Sequence, residues 1–436
     1  MLKSIPVQIK VIIAMKVLWI TFFGPWTIPM IDSIAESCHV EVIVPSEGLE
    51  SYTRREKNGV TFHYLGFRKG HGVYINMDKK IADRYIKIIR KVNPDIIHVH
   101  GSEKNLAQIQ NFVQNIPVVV SIQGILSGCL PYNTAFIKEK EIRPFRSLKN
   151  WFRHQGLYAA DRMCERGTKN YEDDILSNTK YFIGRTYWDH ARTMFANPQS
   201  YYFKGEELLR QEFYHNGGSW CLEKCKRHTV MMPSGYNPLK GMHIAVRAIA
   251  LLKKIFPDVI LTIPAMPMHV IKRTGIKEQL IGEELITYVK YIIKKNNLEN
   301  NIRFLPKLDG KRMMEEMKLA NVFLSCSSID NSSNAVGEAT MLGMPVVVTA
   351  VGGLTSFMHD ESNCLMSPSG DEYMIAYQIK RFFDNDSLAL EMGHNAYKTA
   401  LQRHDIAKTG KQYIDIYREI IRIHNKLDIH HESVII

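Results

Sequence analysis

The sequence predicts an α/β protein with parallel β-sheets, divided between two or three domains. Three observations support this prediction. The chain has 436 residues, more than one domain usually holds. Hydrophobic residues make up 45% of it and charged residues 23%, the balance of a folded globular protein. Short apolar runs alternate with longer amphipathic runs, as in strands connected by helices.

The predicted strands fall into two successive sets. Most are apolar and β-branched at consecutive positions, as expected for parallel strands that helices cover on both faces. The first set comprises residues 17–21, 40–44, 96–100, 118–122 and 181–183, and the second comprises residues 229–232, 259–263, 302–305, 322–325 and 346–349. Helix patterns between them cover residues 79–92, 241–255, 282–295, 311–319 and 371–383, and a last one covers residues 409–424.

The alternation is interrupted twice, at residues 138–180 and at residues 204–226. The second interruption contains Gly217 and Gly218 among charged and aromatic residues, so a domain junction is expected there. We predict an N-terminal domain over residues 15–215, a C-terminal domain over residues 226–405 and a terminal helix over residues 406–428.

The cellular compartment is expected to be the cytoplasm. The apolar stretch at residues 7–23 is interrupted by Lys10 and Lys16 and has no small-residue cleavage site after it, so we expect a buried strand rather than a secretion signal. The seven cysteines are scattered and odd in number, which argues against a disulfide framework. No run approaches the ~20 apolar residues that span a bilayer.

The chain is basic, with a formal net charge of +12. Positive charge favours anionic partners, which include nucleic acid, acidic lipid headgroups and phosphorylated small molecules. Charge alone does not choose among these three classes.

Residues 320–353 carry the most informative pattern: a strand, a polar loop, a helix, a tight turn, a second strand and a Gly-Gly loop. Asp330 follows the first strand, at the carboxyl edge where open α/β sheets bind ligands. Glu338 lies one turn into the helix, where its carboxylate can accept two hydrogen bonds from a vicinal diol such as that of ribose. The free amides at the helix start suit a phosphate, and the residues there are typical helix caps: Asn331, Ser332, Ser333 and Asn334.

This segment resembles the donor-binding signature of retaining glycosyltransferases of the GT-B fold, specifically those of family 4. That signature has two acidic residues separated by seven others, then a Gly-x-Pro-Val-Val strand and a Gly-Gly loop. Asp330 and Glu338 have this spacing, and residues 343–347 and 352–353 complete the pattern. The resemblance implies that Glu338 holds the ribose of a nucleotide, while Asp330 and residues 331–334 hold the transferred sugar and the diphosphate. Asp330 stands where the family has glutamate.

A second match is Lys240 before Gly241, after the first strand of the C-terminal domain. Family members carry an arginine about five residues earlier, and the two cations neutralise the diphosphate. Here Gly235 occupies that position, and Arg185, which follows a strand of the first domain, is the candidate substitute. The resemblance thus implies a catalytic set of Lys240, Asp330 and Arg185.

The first domain matches the family more weakly. Gly24 follows the first strand, where the family places a glycine loop near the diphosphate. Gln123 stands on the acceptor side, where many members have histidine, and it can only hydrogen-bond because glutamine does not titrate. His98 and His100 lie two residues apart on one strand, and we expect one to face the cleft and the other to be hydrogen-bonded in the core.

The resemblance implies the GT-B fold: two facing Rossmann-like domains and a C-terminal helix that packs back on the first. The implied reaction transfers a hexosyl unit, with retention, from a nucleotide diphosphate sugar to a hydroxyl of a saccharide or lipid-linked saccharide, in polysaccharide or lipopolysaccharide assembly. It requires no cofactor. It also requires no metal if the cations suffice, and the D-x-D at residues 384–386 is expected to be a turn between helices.

Other functions stay open. A non-catalytic sugar-nucleotide-binding protein would keep the donor residues, and an epimerase of the same fold would convert the donor without an acceptor. Nucleic-acid binding has no recognised motif in its favour. Residues 138–169 hold nine basic and four acidic residues among aromatics. They are either a solvated helical excursion or a peripheral contact with an acidic membrane.

Overall fold

The structure is a computed structural model that describes residues 15–49, 51–68 and 72–432, with side-chain surroundings up to residue 427. The part of the predicted apolar stretch 7–23 that precedes residue 15 lies outside this description. No helix among the described residues is both long and apolar enough to cross a lipid bilayer.

The N-terminal sheet contains eight strands within the described ranges, in the order β3-β4-β2-β1-β5-β6-β7-β8. All neighbours are parallel except the β3–β4 pair. The strands are β1 (Lys16–Ile20), β2 (His39–Glu47), β3 (Thr53–Lys57), β4 (Val60–Phe67), β5 (Ile96–His100), β6 (Val118–Ser121), β7 (Tyr181–Gly184) and β8 (Tyr201–Lys204).

Most helices of the N-terminal half pack on the faces of this sheet or fill the long connection between β6 and β7, whereas the last one packs against the C-terminal domain. They are α1 (Thr27–Ala35), α2 (Lys79–Val92), α3 (Leu126–Cys129), α4 (Glu139–Ile142), α5 (Leu148–Phe152), α6 (Leu157–Gly167), α7 (Asp173–Asn178), α8 (Tyr187–Ala196) and α9 (Gln211–His215).

The C-terminal sheet is entirely parallel, and its order over the described residues is β11-β10-β9-β12-β13-β14. Its strands are β9 (Lys226–Met231), β10 (Ile260–Ile263), β11 (Ile302–Phe304), β12 (Ala320–Ser325), β13 (Val346–Thr349) and β14 (Leu365–Ser367). Its helices are α10 (Met242–Leu252), α11 (Met268–Ile271), α12 (Gly275–Ile281), α13 (Glu284–Lys295), α14 (Gly310–Leu319), α15 (Asn334–Leu342), α16 (Glu372–Asp384) and α17 (Asp386–Arg403).

The last helix, α18 (Ile406–Glu432), leaves the C-terminal domain and packs on α1 of the N-terminal domain. Tyr413 and Tyr417 are fully buried in the same apolar cluster as Trp19. The Tyr417 hydroxyl accepts a hydrogen bond from Trp19 Nε1 at 3.1 Å and lies 2.7 Å from His98 Nδ1. Burial of each large side chain contributes ~2 kcal/mol, so α18 is an integral part of the N-terminal domain.

Residues 134–157, here called the bridging segment, follow β6 of the N-terminal domain but pack against α10 and α13 of the C-terminal domain. Ile137, Ile142 and Leu157 are buried in the C-terminal core cluster. The buried Glu284 carboxylate accepts hydrogen bonds from Arg146 Nε (3.1 Å) and from the Leu157 amide (2.7 Å). The predicted N-terminal domain, residues 15–215, therefore includes a segment that completes the core of the other domain.

Candidate functional site

The two sheets face each other across a cleft, and a buried arginine of the N-terminal domain makes the central contact. Arg185 directly follows β7 and is 5% exposed. Its Nη1 donates to Glu207 Oε2 at 2.7 Å and to Asn334 Oδ1 at 3.3 Å, and its Nη2 donates to Gln123 Oε1 at 3.4 Å. The Gln123 amide also donates to Glu207. Three predicted site residues, from both domains, therefore meet in one network.

A second contact between the domains lies beside the first. Thr186 Oγ1 donates to Asn331 Oδ1 at 2.6 Å, and Asn331 Nδ2 donates to Asp189 Oδ2 at 2.9 Å. Thr186 and Asp189 also form the capping box of α8, which fixes both side chains. Asn331 thus binds the N-terminal domain through two residues that their own helix already holds in place.

Lys240 and Asp330 form an ion pair at the carboxyl ends of β9 and β12. Lys240 Nζ lies 2.6 Å from Asp330 Oδ2, and Ser327 Oγ donates to the same oxygen at 3.3 Å. Gly241 has a φ of 72°, and a Cβ there would collide with the Cys326 carbonyl, so only glycine lets the Lys240 loop lie this close to β12.

The Gly-Gly loop after β13 packs directly on the backbone that carries Asp330. The Gly353 amide donates to the Asp330 carbonyl at 3.0 Å. A Cβ on Gly352 would collide with the carbonyl oxygen of Asp330, and one on Gly353 with that of Asn331. The two glycines therefore set the position of the polar loop.

Helix α15 begins at Asn334, and its N-cap residue, Ser333, makes no side-chain capping bond. Glu338, one turn further on, is 5% exposed and receives two hydrogen bonds from Arg210, from Nε and Nη2, each at 2.6 Å. Burial raises the pKa of Glu338, and Arg210 opposes this rise. The carboxylate that the sequence assigns to ribose is thus bound by an arginine in this structure.

Ser332 contacts the end of α17 instead of the Lys240 loop. Arg403 Nη2 donates to Ser332 Oγ and to Glu206 Oε2, each at 2.7 Å. The Arg403 guanidinium also lies 3.5 Å from the centre of the Phe357 ring. This arginine links the polar loop of the C-terminal domain to the segment that joins the domains.

Gly24 and Gln123 line a cavity of about 280 Å³ on the N-terminal side of the cleft, together with His100 and Glu103. Burial raises the pKa of Glu103 to about 7, and the nearby Glu172 carboxylate adds to this rise. His100 is buried, and neither ring nitrogen has a hydrogen-bond partner in the described part of the chain. His98, in contrast, bonds both Tyr417 and Ser121. The prediction of one core histidine and one cleft-facing histidine is confirmed.

The D-x-D at residues 384–386 is a turn between α16 and α17. Asn385 caps α17 by accepting from the Leu388 amide at 3.0 Å, and Asp386 pairs with Arg227 at 2.6 Å. The prediction that this motif is a turn is confirmed.

Residues 222–399 match the family described as glycosyl transferases group 1. The chain contains a glycosyl transferases group 1 domain. The match includes Lys240, Asp330 and Glu338, whereas Arg185, Gln123 and Gly24 lie outside it.

Curated relatives match only part of the chain. The chain is 24% identical to D-inositol 3-phosphate glycosyltransferase of Corynebacterium urealyticum over 182 residues. These residues make up 42% of this chain and 41% of that protein. The chain is also 24% identical over 141 residues to N-acetyl-alpha-D-glucosaminyl L-malate synthase of Bacillus anthracis, 32% of this chain and 36% of that one. The chain therefore matches less than half the length of these relatives.

Solved structures are similar over nearly the whole chain. Sucrose-phosphate synthase from Thermosynechococcus elongatus has a TM-score of 0.68 at 15% identity, over 94% of this chain and all of that one. HepE of Anabaena in complex with UDP and glucose has a TM-score of 0.62 at 16% identity, over 93% of this chain and all of that one. At this identity the likeness shows the fold, so the predicted GT-B architecture is confirmed.

Four charged residues around the group 1 domain were missed by the sequence reasoning. Arg210 and Glu207 lie in the interrupted stretch before β9, where no periodic pattern draws attention to single residues. Asp189 lies at the start of α8 and Arg403 at the end of α17. An acidic residue at a helix start and a basic residue at a helix end are common and indicate no function by themselves. The aspartate three residues after Thr186 was a capping-box signal that could have been found.

Proposed function

We propose that the protein is a retaining glycosyltransferase of family 4. It would move a hexosyl unit from a nucleotide diphosphate sugar to a hydroxyl of a saccharide or lipid-linked saccharide. The observation that carries this proposal is the Lys240–Asp330 pair, which lies inside the group 1 domain at the carboxyl edge of its sheet. That edge is where parallel α/β sheets bind their ligands.

The diphosphate of the donor would bind between Lys240 and the start of α15. The ammonium is 29% exposed and can turn from Asp330 to a phosphate, and the amides that begin the helix add partial positive charge. Asp330 would then accept hydrogen bonds from the transferred sugar. Stabilising the charge that develops on the departing diphosphate is the main source of rate acceleration in such a site.

Glu338 would exchange Arg210 for the ribose diol when the donor binds. Each carboxylate oxygen already accepts one of two parallel hydrogen bonds, so a diol can replace the guanidinium without a change in the number of bonds. The released Arg210 would supply the second cation that Gly235 does not provide. Arg185 is less suited to this role because Glu207, Gln123 and Asn334 occupy its guanidinium.

The acceptor would enter from the cavity lined by Gly24 and Gln123. Its oxygen would bond to the anomeric carbon on the face that the diphosphate leaves, and the leaving phosphate would take the acceptor proton. Gln123 would orient the hydroxyl, since an amide cannot act as a base. The proposal needs no metal and no further cofactor, because Lys240 and Arg210 supply the positive charge.

A lipid-linked acceptor, in polysaccharide or lipopolysaccharide assembly, would bring the protein to the inner face of an acidic membrane. On the bridging segment, Trp151 is 60% exposed and Phe152 70% exposed, with Leu148 beside them. An adjacent groove is lined by Arg153, Arg162 and Arg166. Exposed aromatics beside arginines suit a surface of acidic headgroups. Trp151→Ala/Phe152→Ala should therefore abolish co-sedimentation with phosphatidylglycerol vesicles.

The donor site is tested by thermal unfolding with UDP-, GDP- and ADP-sugars, followed by an assay of sugar transfer. At least one nucleotide sugar should raise the melting temperature, and Lys240→Ala and Glu338→Gln should each remove most of that rise. Lys254→Ala, an exposed lysine on the same domain, is the control. Donor binding without transfer to any acceptor would favour the non-catalytic alternative, and conversion of the donor sugar without an acceptor would favour an epimerase.

A further inference from the structure

A second cavity, separate from the proposed donor site, lies where the two domains meet the C-terminal helix. It measures about 500 Å³ and is here called the junction pocket. Its walls come from the carboxyl ends of β7 and β8, the loop after β13, and the break between α17 and α18. Its charged lining residues are Arg185, Lys204, Glu206, Arg403 and Lys408.

The junction pocket is strongly cationic. Four of these side chains are positive and one is negative, and Arg185 is also paired with Glu207 outside the lining, which leaves a surplus of two positive charges. The carboxylate of Glu206 is already bound to Arg403 at 2.7 Å. Lys204 and Lys408 are exposed at the rim, and neither pairs with a carboxylate in the part of the chain that the structure describes. Nothing in the described walls therefore balances the surplus charge.

The two arginines have unused hydrogen-bonding capacity. Arg403 donates through Nη2 only, to Glu206 and Ser332, and its buried Nε has no partner among the described residues. The Nε of Arg185 is likewise buried and unpartnered within those ranges. Burial lowers the pKa of Arg403, the charge of Glu206 opposes this, and the charge of Arg185 adds to the lowering. An anion near both guanidiniums would relieve their mutual repulsion.

We propose that the junction pocket binds a phosphate-bearing anion of small-molecule size. Its volume falls within the range of ligand sites, about 300–1,000 Å³. The Arg403 guanidinium can donate to phosphate oxygens from the groups that Glu206 and Ser332 leave free, Arg185 can donate from its Nε, and the rim lysines add point charges. Because its walls belong to both domains and to α18, the bound anion links all three. This proposal is independent of the proposed transferase reaction, since Lys240, Asp330 and Glu338 do not line the pocket.

The test is thermal unfolding of the full chain at constant ionic strength, titrated with inorganic phosphate and with glucose 6-phosphate. Lys204→Glu/Lys408→Glu reverses the rim charge at exposed positions. Lys398→Glu/Lys411→Glu makes the same charge change at exposed positions of α17 and α18 outside the lining. Lys240→Ala weakens the proposed donor site.

The wild type, the control pair and Lys240→Ala should all show a saturable rise in melting temperature. Lys204→Glu/Lys408→Glu should weaken apparent anion affinity at least tenfold. Tighter binding of glucose 6-phosphate supports a phosphorylated metabolite as ligand, and equal binding supports a site for phosphate itself. Three results would overturn the proposal: no saturable rise in the wild type, an unchanged response in the rim variant, or a response that Lys240→Ala abolishes.

Discussion

Two of the ion pairs in the cleft differ in burial and therefore in what they can do. Lys240 and Asp330 are 29% and 12% exposed, whereas Arg185 and Glu207 are 5% and 3% exposed. A partly hydrated pair can exchange one partner for a ligand at little cost, because solvent stabilises each charge during the exchange. A buried pair cannot, because either charge alone would lie in a medium of low dielectric. The first pair is thus suited to binding and the second to holding the domains together.

The largest effect is expected from Arg185→Ala, which leaves Glu207 buried without its cation. Removal of one partner of a buried pair costs about 3–5 kcal/mol, so the midpoint of urea unfolding should fall markedly. The double variant Arg185→Ala/Glu207→Ala should recover part of the loss. If Arg185→Ala lowers the free energy of unfolding by less than ~1 kcal/mol, the buried pair does not differ in this way from the Lys240–Asp330 pair.

Lys240→Ala tests the other side of the comparison. Its stability should change by no more than ~1 kcal/mol, as for a partly exposed pair. The rate of sugar transfer should fall about 10²–10³-fold, because a cation that stabilises the transition state is lost. Initial rates at saturating donor measure this effect, with Lys254→Ala as the control. A stability loss as large as that of Arg185→Ala would contradict the assignment.

Glu103 sharpens the comparison, because it is a largely buried carboxyl without an ion pair in the described part of the chain. Its folded pKa of about 7 lies above its ordinary value of 4.5. The folded state thus holds the proton more tightly, and stability should fall as pH rises from about 4.5 to 7. The full loss is at most about 3 kcal/mol. Unfolding midpoints at pH 5 and pH 7.5 measure it, and Glu103→Gln should flatten the dependence. If the pH dependence of stability is unchanged in Glu103→Gln, a group other than Glu103 causes it.

The smallest effect is expected at Asp386, whose pair with Arg227 is about half exposed and lies outside the cleft. Asp386→Ala should lower stability by less than ~1 kcal/mol. Transfer activity should be unchanged in assays with and without added divalent metal. If transfer activity depends on divalent metal in the wild type and this dependence is lost in Asp386→Ala, the D-x-D motif is a metal site.

Strand and helix placement could be predicted in large part because apolar periodicity reports burial directly. All ten predicted strands are present. The hairpin formed by β3 and β4 was missed, and β3 is a charged, fully exposed edge strand without an apolar pattern. The short β8 and β14 were also missed. Periodicity over so few residues does not distinguish a strand from a loop.

The candidate site could be predicted only where several of its residues lie in one continuous strand-loop-helix unit of the sequence. Asp330, Glu338 and the Gly-Gly loop lie within about 25 residues of one strand-loop-helix unit. Arg210 acts across 128 residues of sequence, and nothing local indicates that it faces Glu338. Long-range pairing of charges is set by how the domains dock, and a single sequence does not encode that in a readable pattern.

The bridging segment also bears on how the molecule can be divided. Its apolar side chains complete the core of the C-terminal half, although the chain reaches them from the N-terminal sheet. A fragment that starts at residue 222 would contain every strand of the second sheet, yet it would expose the groove over α10 and α13 to water. The two halves are therefore interdependent in folding, and proteolysis between them would not release two independently soluble units.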